Sequence, residues 1–243
     1  PWSAFSLLCT SDTCRRPMDE LISRAGWQSI RDHGRSSGTR EPQLVRRRTH
    51  SSSGDGRASQ RGADVDQQVA NRNAPMAIVV MGVSGSGKST LGRLLADALG
   101  CPFLEGDEFH DAAAIAKMSA GQPLDDTDRW PWLDRVGHAL GEAAATNGCA
   151  VAACSALRRS YRERLAAAAG GHMRFILLDN DRDELVRRLS DRTDHYMPAS
   201  LLNSQLATLE RPTADEAVLT LRSSAAPPDL CRMALEWLDA GGA

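Results

Sequence analysis

From Met76 onwards the chain alternates short apolar runs with stretches whose apolar residues recur every three or four positions. The runs are AIVVM (77–81), PFLEG (102–106), CAVAACS (149–155), MRFILLD (173–179) and AVLTL (217–221). Each is short and continuously apolar, as in a strand covered on both faces. Between them, KSTLGRLLADALG, the 111–147 region, RSYRERLAAAA and RDELVRRLSDR carry helical spacing. Strands alternating with helices predict an α/β fold, a doubly wound parallel sheet of five strands with ligand sites at the strands' carboxyl ends. The break GQPLDD before TDRWPW divides the 111–147 region into two helices, the second with Asp128 as its cap and Pro131 in its first turn.

Residues 1–75 read differently. Segments such as RDHGRSSGTREPQ and RRRTHSSSGDGRASQRG have no sustained periodicity, and only MDELISRAGW suggests a short amphipathic piece. Such a composition buries too little apolar surface to offset the entropy of ordering it. The expected organisation is therefore a disordered extension over 1–75 and a folded domain over 76–243, with Met76 as the native start of translation.

The net charge of −2 conceals an asymmetry: 12 arginines face 8 carboxylates up to Pro75, whereas 17 basic residues face 23 acidic ones beyond it. A basic arm can tether nucleic acid or membrane. A solvated lead-in is the simpler account, so neither partner is expected. The six cysteines include no C-x-x-C pair and no zinc-ligand spacing, which suits a reducing compartment, the cytoplasm. No apolar run approaches the roughly 18 residues of a membrane helix, and SAFSLLCT lacks the basic flank of a signal peptide.

The candidate chemistry begins at MGVSGSGKST. Gly82, Val83, Ser84, Gly85, Ser86, Gly87, Lys88 and Ser89 fit G-x-x-x-x-G-K-[ST], with Thr90 following. Glycines let the backbone curl until successive N–H groups point into one concavity, and the helix beginning near Lys88 adds its positive end. In this reading Lys88 contacts the β- and γ-phosphates of ATP, and the Ser89 hydroxyl ligates Mg²⁺. An isolated Gly/Ser string also fits an ordinary turn, but the strand before it and the helix after it are the context the phosphate motif requires. Only two lysines occur against 27 arginines, and one is Lys88, where a compact ammonium fits between phosphates.

The second strand ends in LEGDEFHD, which brings Asp107 out beside the phosphate loop. A carboxylate there can orient a substrate hydroxyl and accept its proton, or cap the next helix. His110 shares a face with Asp107 if a helix begins at this point. Arg129 either forks onto a carboxylate or is solvated.

MGVSGSGKST, LEGDEFH, KM-x-x-G-x-PL-x-D-x-DR-x-PWL, ACSALRRSYR and DHYMPASLLNSQLATLERP, in this order and with short spacings, closely resemble the gluconokinase family of small P-loop kinases. The resemblance spans about Met76 to Leu221. It implies ATP-dependent phosphorylation of D-gluconate at its 6-hydroxyl, a fold of the nucleoside-monophosphate-kinase type with a mobile lid, and a homodimer. It puts Asp107 on the substrate hydroxyl, with His110, Lys117 and Arg129 on the segment covering the sugar acid. Arg158 and Arg162 become candidates for the substrate carboxylate or the transferring phosphate. The lid stretch contributes Arg187, Arg188, Arg192 and His195. Arg188 and Arg192, four residues apart on one face, are the pair expected over the triphosphate. Asp194 stands where the family commonly has glycine before the lid histidine, which changes both backbone freedom and local charge. The alternatives are a shikimate-type or nucleotide kinase, or a nucleotide-binding protein that transfers nothing.

Overall fold

The computed structural model describes residues 74–171, 173–190 and 199–242. The strands are β1 (Met76–Met81), β2 (Phe103–Glu105), β3 (Cys149–Ala153), β4 (Met173–Asp179) and β5 (Val218–Arg222). The helices are α1 (Lys88–Leu99), α2 (Ala112–Ser119), α3 (Asp126–Asn147), α4 (Arg159–Ala168), α5 (Arg182–Ser190), α6 (Ala199–Thr208) and α7 (Pro227–Asp239). A 3₁₀ turn, Gly106–Phe109, follows β2.

All strand pairs are parallel and the order is β2-β3-β1-β4-β5. The chain leaves β1 for one side of the sheet and later crosses to the other, so the carboxyl ends of β1 and β3 border the crevice such a reversal creates. The continuous apolar runs have the expected cause. In β1, Ala77, Val79 and Met81 face α3 and α4 together with Trp132, Leu133, Val136, Leu140, Tyr161 and Leu165. The intervening Ile78 and Val80 are also fully buried. On the other face α1 packs against β1 and β3, and α7 against α1. Helix α7 is outside the sequence expectation. It opens with Pro227 and Pro228 in its first turn and buries Leu230, Cys231, Ala234, Leu235 and Leu238.

Two helix starts differ from the expectation. Helix α2 is capped by Asp111, whose carboxylate accepts the Ala114 N–H at 2.8 Å. Asp107 lies in the preceding 3₁₀ turn and is not the cap. Helix α3 is capped by Asp125, with Asp128 as the reciprocal member of a capping box. Asp125 accepts from the Asp128 N–H at 3.1 Å, and Asp128 accepts from the Asp125 N–H at 3.0 Å. Two donors satisfied together favour this earlier start, which puts Pro131 inside the helix, beyond its first turn.

Helices α3 and α4 lie side by side and parallel. Asp134 accepts two bonds from Arg164, at 2.5 and 2.6 Å. Further along, a Cβ at Gly137 would stand 2.6 Å from Ala168 Cβ, and one at Gly141 2.7 Å from Ala169 O. This close approach holds both amino-terminal ends at the same edge of the domain. The segment after α6 is fastened there by Arg162, which is 2% exposed. Its Nε and Nη2 donate to Glu216 at 2.6 and 2.8 Å, and its Nη1 donates to the Glu210 and Ala156 carbonyls.

Removing one partner of such a pair strands a buried charge, so Arg162→Met is expected to cost about 3–5 kcal/mol, read from the urea midpoint. The Arg162 guanidinium holds the Glu216 carboxyl below its usual range. This stabilisation is therefore complete above the unfolded carboxyl value of about 4.3 and is lost as pH falls through the lower folded value. Glu216→Gln should lose stability at neutral pH and show a smaller further loss in acid.

Candidate active site

The phosphate loop leaves β1 at Gly82, whose φ of 142° suits glycine and whose added Cβ would meet Leu178 O at 2.8 Å. The loop closes through Ser86 N–H to Val83 O at 3.3 Å, and Lys88 Nζ donates to Val83 O at 3.0 Å. The first intrahelical bond of α1 runs from Leu91 N–H to Gly87 O. Helix geometry therefore leaves first-turn amides such as those of Ser89 and Thr90 to seek acceptors outside the helix, where its positive end also points. Ser86 Oγ is buried with no hydrogen-bond partner among the described residues. An anion of phosphate size would complete such a cradle.

Two carboxylates leave β2 beside this loop. Burial raises the Glu105 carboxyl above the ordinary glutamate value, and the nearby Ser89 hydroxyl opposes that shift. Arg93 approaches Glu105 at 3.6 Å. Asp107 is exposed, two residues further on. Burial pushes the Cys154 thiol up to about 12, with the Asp107 and Glu105 carboxylates adding to that shift and Lys88 opposing it. The placement of Asp107 is tightly determined. A Cβ on Gly106 would stand 2.3 Å from Ala153 O, so the turn runs flush against β3. Trp132 Nε1 also donates to Gly106 O at 2.7 Å. His110 stacks on Trp132 with ring centroids 4.3 Å apart. Burial lowers its pKa, and its Nδ1 has no partner among the described residues. Asp107 and His110 are thus joined by a 3₁₀ turn and not by a shared helix face.

A basic cluster occupies the adjoining ends of α3 and α4. Arg158 Nη1 donates to both Asp126 oxygens, at 3.0 and 3.1 Å, and Arg129 Nη1 donates to the Tyr161 hydroxyl at 3.2 Å. That hydroxyl donates to Asp126 at 2.5 Å. Not every candidate arginine or lysine joins this group. Arg162 is committed to Glu216 and the two carbonyls described above. Lys117 donates to both oxygens of Asp128, at 2.7 and 2.8 Å, and that contact raises its pKa.

Arg188 bridges Glu184 to the far side of the loop. Its Nε donates to Glu184 at 2.7 Å and its Nη2 to Ser223 O at 2.6 Å, with Nη1 3.5 Å from Ser86 O. Arg192, Asp194 and His195 lie outside the described residues, and so does the part of the expected lid that carries them. The helices on either side of it grip the loop: Val83 and Leu157 pack with Leu185 and Leu202, and Ser84 N–H donates to Gln205 Oε1 at 2.7 Å.

Sequence reasoning did not single out Glu105, Asp126, Tyr161 or Gln205 as site residues. For Glu105 a signal existed, because it is the last residue of the short strand that delivers Asp107 to the same sheet edge. The other three depend on tertiary contacts.

Residues 78–212 match the family model described as an AAA domain. The gluconokinase of Gluconobacter oxydans is 48% identical over 153 residues, covering 63% of this chain and 85% of that protein. The thermosensitive gluconokinase of Escherichia coli is 42% identical over 140 residues, covering 58% of this chain and 74% of the other. Among solved structures, a gluconokinase from Sinorhizobium meliloti 1021 superposes with a TM-score of 0.62 at 45% identity, covering 69% of this chain and 94% of its own. A parallel five-stranded sheet with flanking helices and a glycine-rich loop after its central strand is the architecture of a P-loop NTPase. With relatives of this identity and coverage, the chain belongs to the gluconokinase family of P-loop kinases.

Proposed function

We propose that the protein transfers the γ-phosphoryl group of ATP to the 6-hydroxyl of D-gluconate. The observation that supports this reading is topological: the phosphate loop after β1, the carboxylates leaving β2 and the arginine cluster at the starts of α3 and α4 all lie on the carboxyl edge of the sheet. The cysteine pattern supports a reducing compartment, the cytoplasm, as the place of action, and the family resemblance supports a homodimer. Among the described residues no helix is long and apolar enough to cross a membrane.

The amides of Gly85 to Thr90 and the Lys88 ammonium bind the triphosphate and spread its charge over fixed donors. The Ser89 hydroxyl and the Glu105 carboxylate are adjacent hard oxygen donors, a set that fits Mg²⁺ held jointly with phosphate oxygens. When bound there, the metal neutralises charge on the β- and γ-phosphate oxygens. Asp107 accepts the hydrogen bond of the acceptor hydroxyl, aims its oxygen at the γ-phosphorus and takes the proton as the O–P bond forms. His110, largely neutral because of burial, offers its unpartnered Nδ1 to a hydroxyl of the polyol chain. Arg129 and Arg158 receive the carboxylate at the far end of the acceptor. Arg188, with Arg192 and His195 from the lid, closes over the phosphates and excludes competing water. Lys117 and Arg162 serve the scaffold: one ties α2 to the start of α3, the other fastens the segment after α6.

Full-length protein with Mg·ATP should release ADP stoichiometrically with D-gluconate and not with shikimate, D-glucose or nucleoside monophosphates. Preferred turnover of one of those others would overturn the assignment. Lys88→Ala should lower kcat by at least about 10²-fold. Asp107→Asn should lower kcat by about 10²–10⁴-fold with little change in ATP KM; near-normal kcat would remove Asp107 from the chemistry. Glu105→Gln should raise the Mg²⁺ concentration needed for half-maximal rate by about tenfold, with gluconate KM unchanged.

A further inference from the structure

The basic cluster contains an acidic group that receptor chemistry alone does not require. Asp126, the first residue of α3, takes two contacts from Arg158 Nη1 and one from the Tyr161 hydroxyl, and lies 3.8 Å from Arg129 Nη1. Both cations lie close to the Tyr161 ring, the guanidinium carbons of Arg129 and Arg158 at 5.6 and 5.5 Å from its centroid. Trp130 meets the same ring edge-on at 5.3 Å. Each guanidinium therefore spends Nη1 on this arrangement. The remaining N–H groups of both have no partner among the described residues. Arg129 and Arg158 side chains are 18% and 37% exposed, so the unspent edges are reachable.

Two flexible arginines without a shared anchor would have to be ordered by the ligand, at a cost in affinity for each side chain immobilised. Here the anchor is built in, and it also sets the charge: two guanidiniums and one carboxylate leave one positive charge. Both helix amino termini face the same place, which favours an anion there but does not distinguish one anion from another.

We propose that Asp126 and Tyr161 are positioning residues that hold Arg129 and Arg158 as a two-armed receptor for the acceptor's carboxylate. Asp126 is the resident counter-ion that matches the receptor to a monoanion and disfavours small dianions. The inference rests on the gluconate reading above, and it deepens that reading by naming what selects the acid group. Burial and the Asp126 contact both hold the Tyr161 phenol in its neutral, donating form.

The test uses the full chain and three variants, with gluconate and ATP kinetics, malonate as a small dianionic competitor, and calorimetric binding of malonate. Asp126→Ala and Tyr161→Phe should raise gluconate KM about tenfold or more, while ATP KM and the thermal midpoint stay near wild type. Asp126→Asn keeps an oxygen for Tyr161 and Arg158 but leaves the receptor doubly positive. Its gluconate KM should move much less than that of Asp126→Ala, and malonate should bind about tenfold tighter than to wild type. Unchanged gluconate KM in Asp126→Ala, parallel rises in gluconate and ATP KM, or unaltered malonate affinity in Asp126→Asn would overturn the proposal. A wild type that is active on another acceptor would sink the gluconate reading alone, and calorimetric malonate binding would still decide for or against the anion receptor.

Discussion

The turn after β2 lies so close to β3 that no side chain fits between them at Gly106. From that contact follows the placement of Asp107 and His110, the groups of this turn. The Trp132 indole bonded to Gly106 O ties the turn to α3, and His110 is stacked on the same indole. Helix α3 in turn lies against α4 through Gly137 and Gly141, which brings Arg129 and Arg158 to one place. A packing constraint worth little by itself thus coordinates three elements that are far apart in the chain.

The resulting cleft is an electrostatic arrangement with two poles. At one lie backbone amides, the start of α1 and Lys88, which in the proposed function take the phosphates. At the other lie two arginines and the starts of α3 and α4, which in the same proposal take the carboxylate. Asp107 stands with the first pole, where it can hold a hydroxyl for attack. At the second pole the protein's own carboxylate occupies a donor in the described state: Asp126 engages Arg158. Resident partners of this kind keep polar side chains ordered before ligands arrive, which reduces the entropy that binding must overcome.

How much of this was legible in the sequence depends on the range of the interaction. The five strands and the phosphate loop were visible because burial on both faces and close phosphate approach impose local patterns. Asp107 could be placed because a strand end determines the edge at which the next residues emerge. The start of α3 was misread, since Asp125 and Asp128 are equally good caps until their reciprocal bonds are seen. Arg162 was a candidate for the substrate carboxylate or the transferring phosphate, but it is buried against Glu216, a partner beyond α5 and α6 in the chain that no local pattern announces. Gln205, Asp126 and Tyr161 gain their meaning from partners between 32 and 121 residues away, and no local pattern encodes that. Helix α7 was a different kind of miss, because PPDLCRMALEWLD carries both the prolines of a helix start and the spacing of a buried face.

The central claim is that Asp107 and the phosphate loop hold the two reacting ends of one phosphoryl transfer. A crystal structure of the full chain with D-gluconate and a non-hydrolysable ATP analogue tests it most directly. The account predicts an Asp107 carboxylate oxygen within about 2.6–3.2 Å of the 6-hydroxyl, with that hydroxyl in line with the γ-phosphorus. A gluconate bound with its 6-hydroxyl away from Asp107, or an Asp107 carboxylate turned out of the cleft, would contradict it.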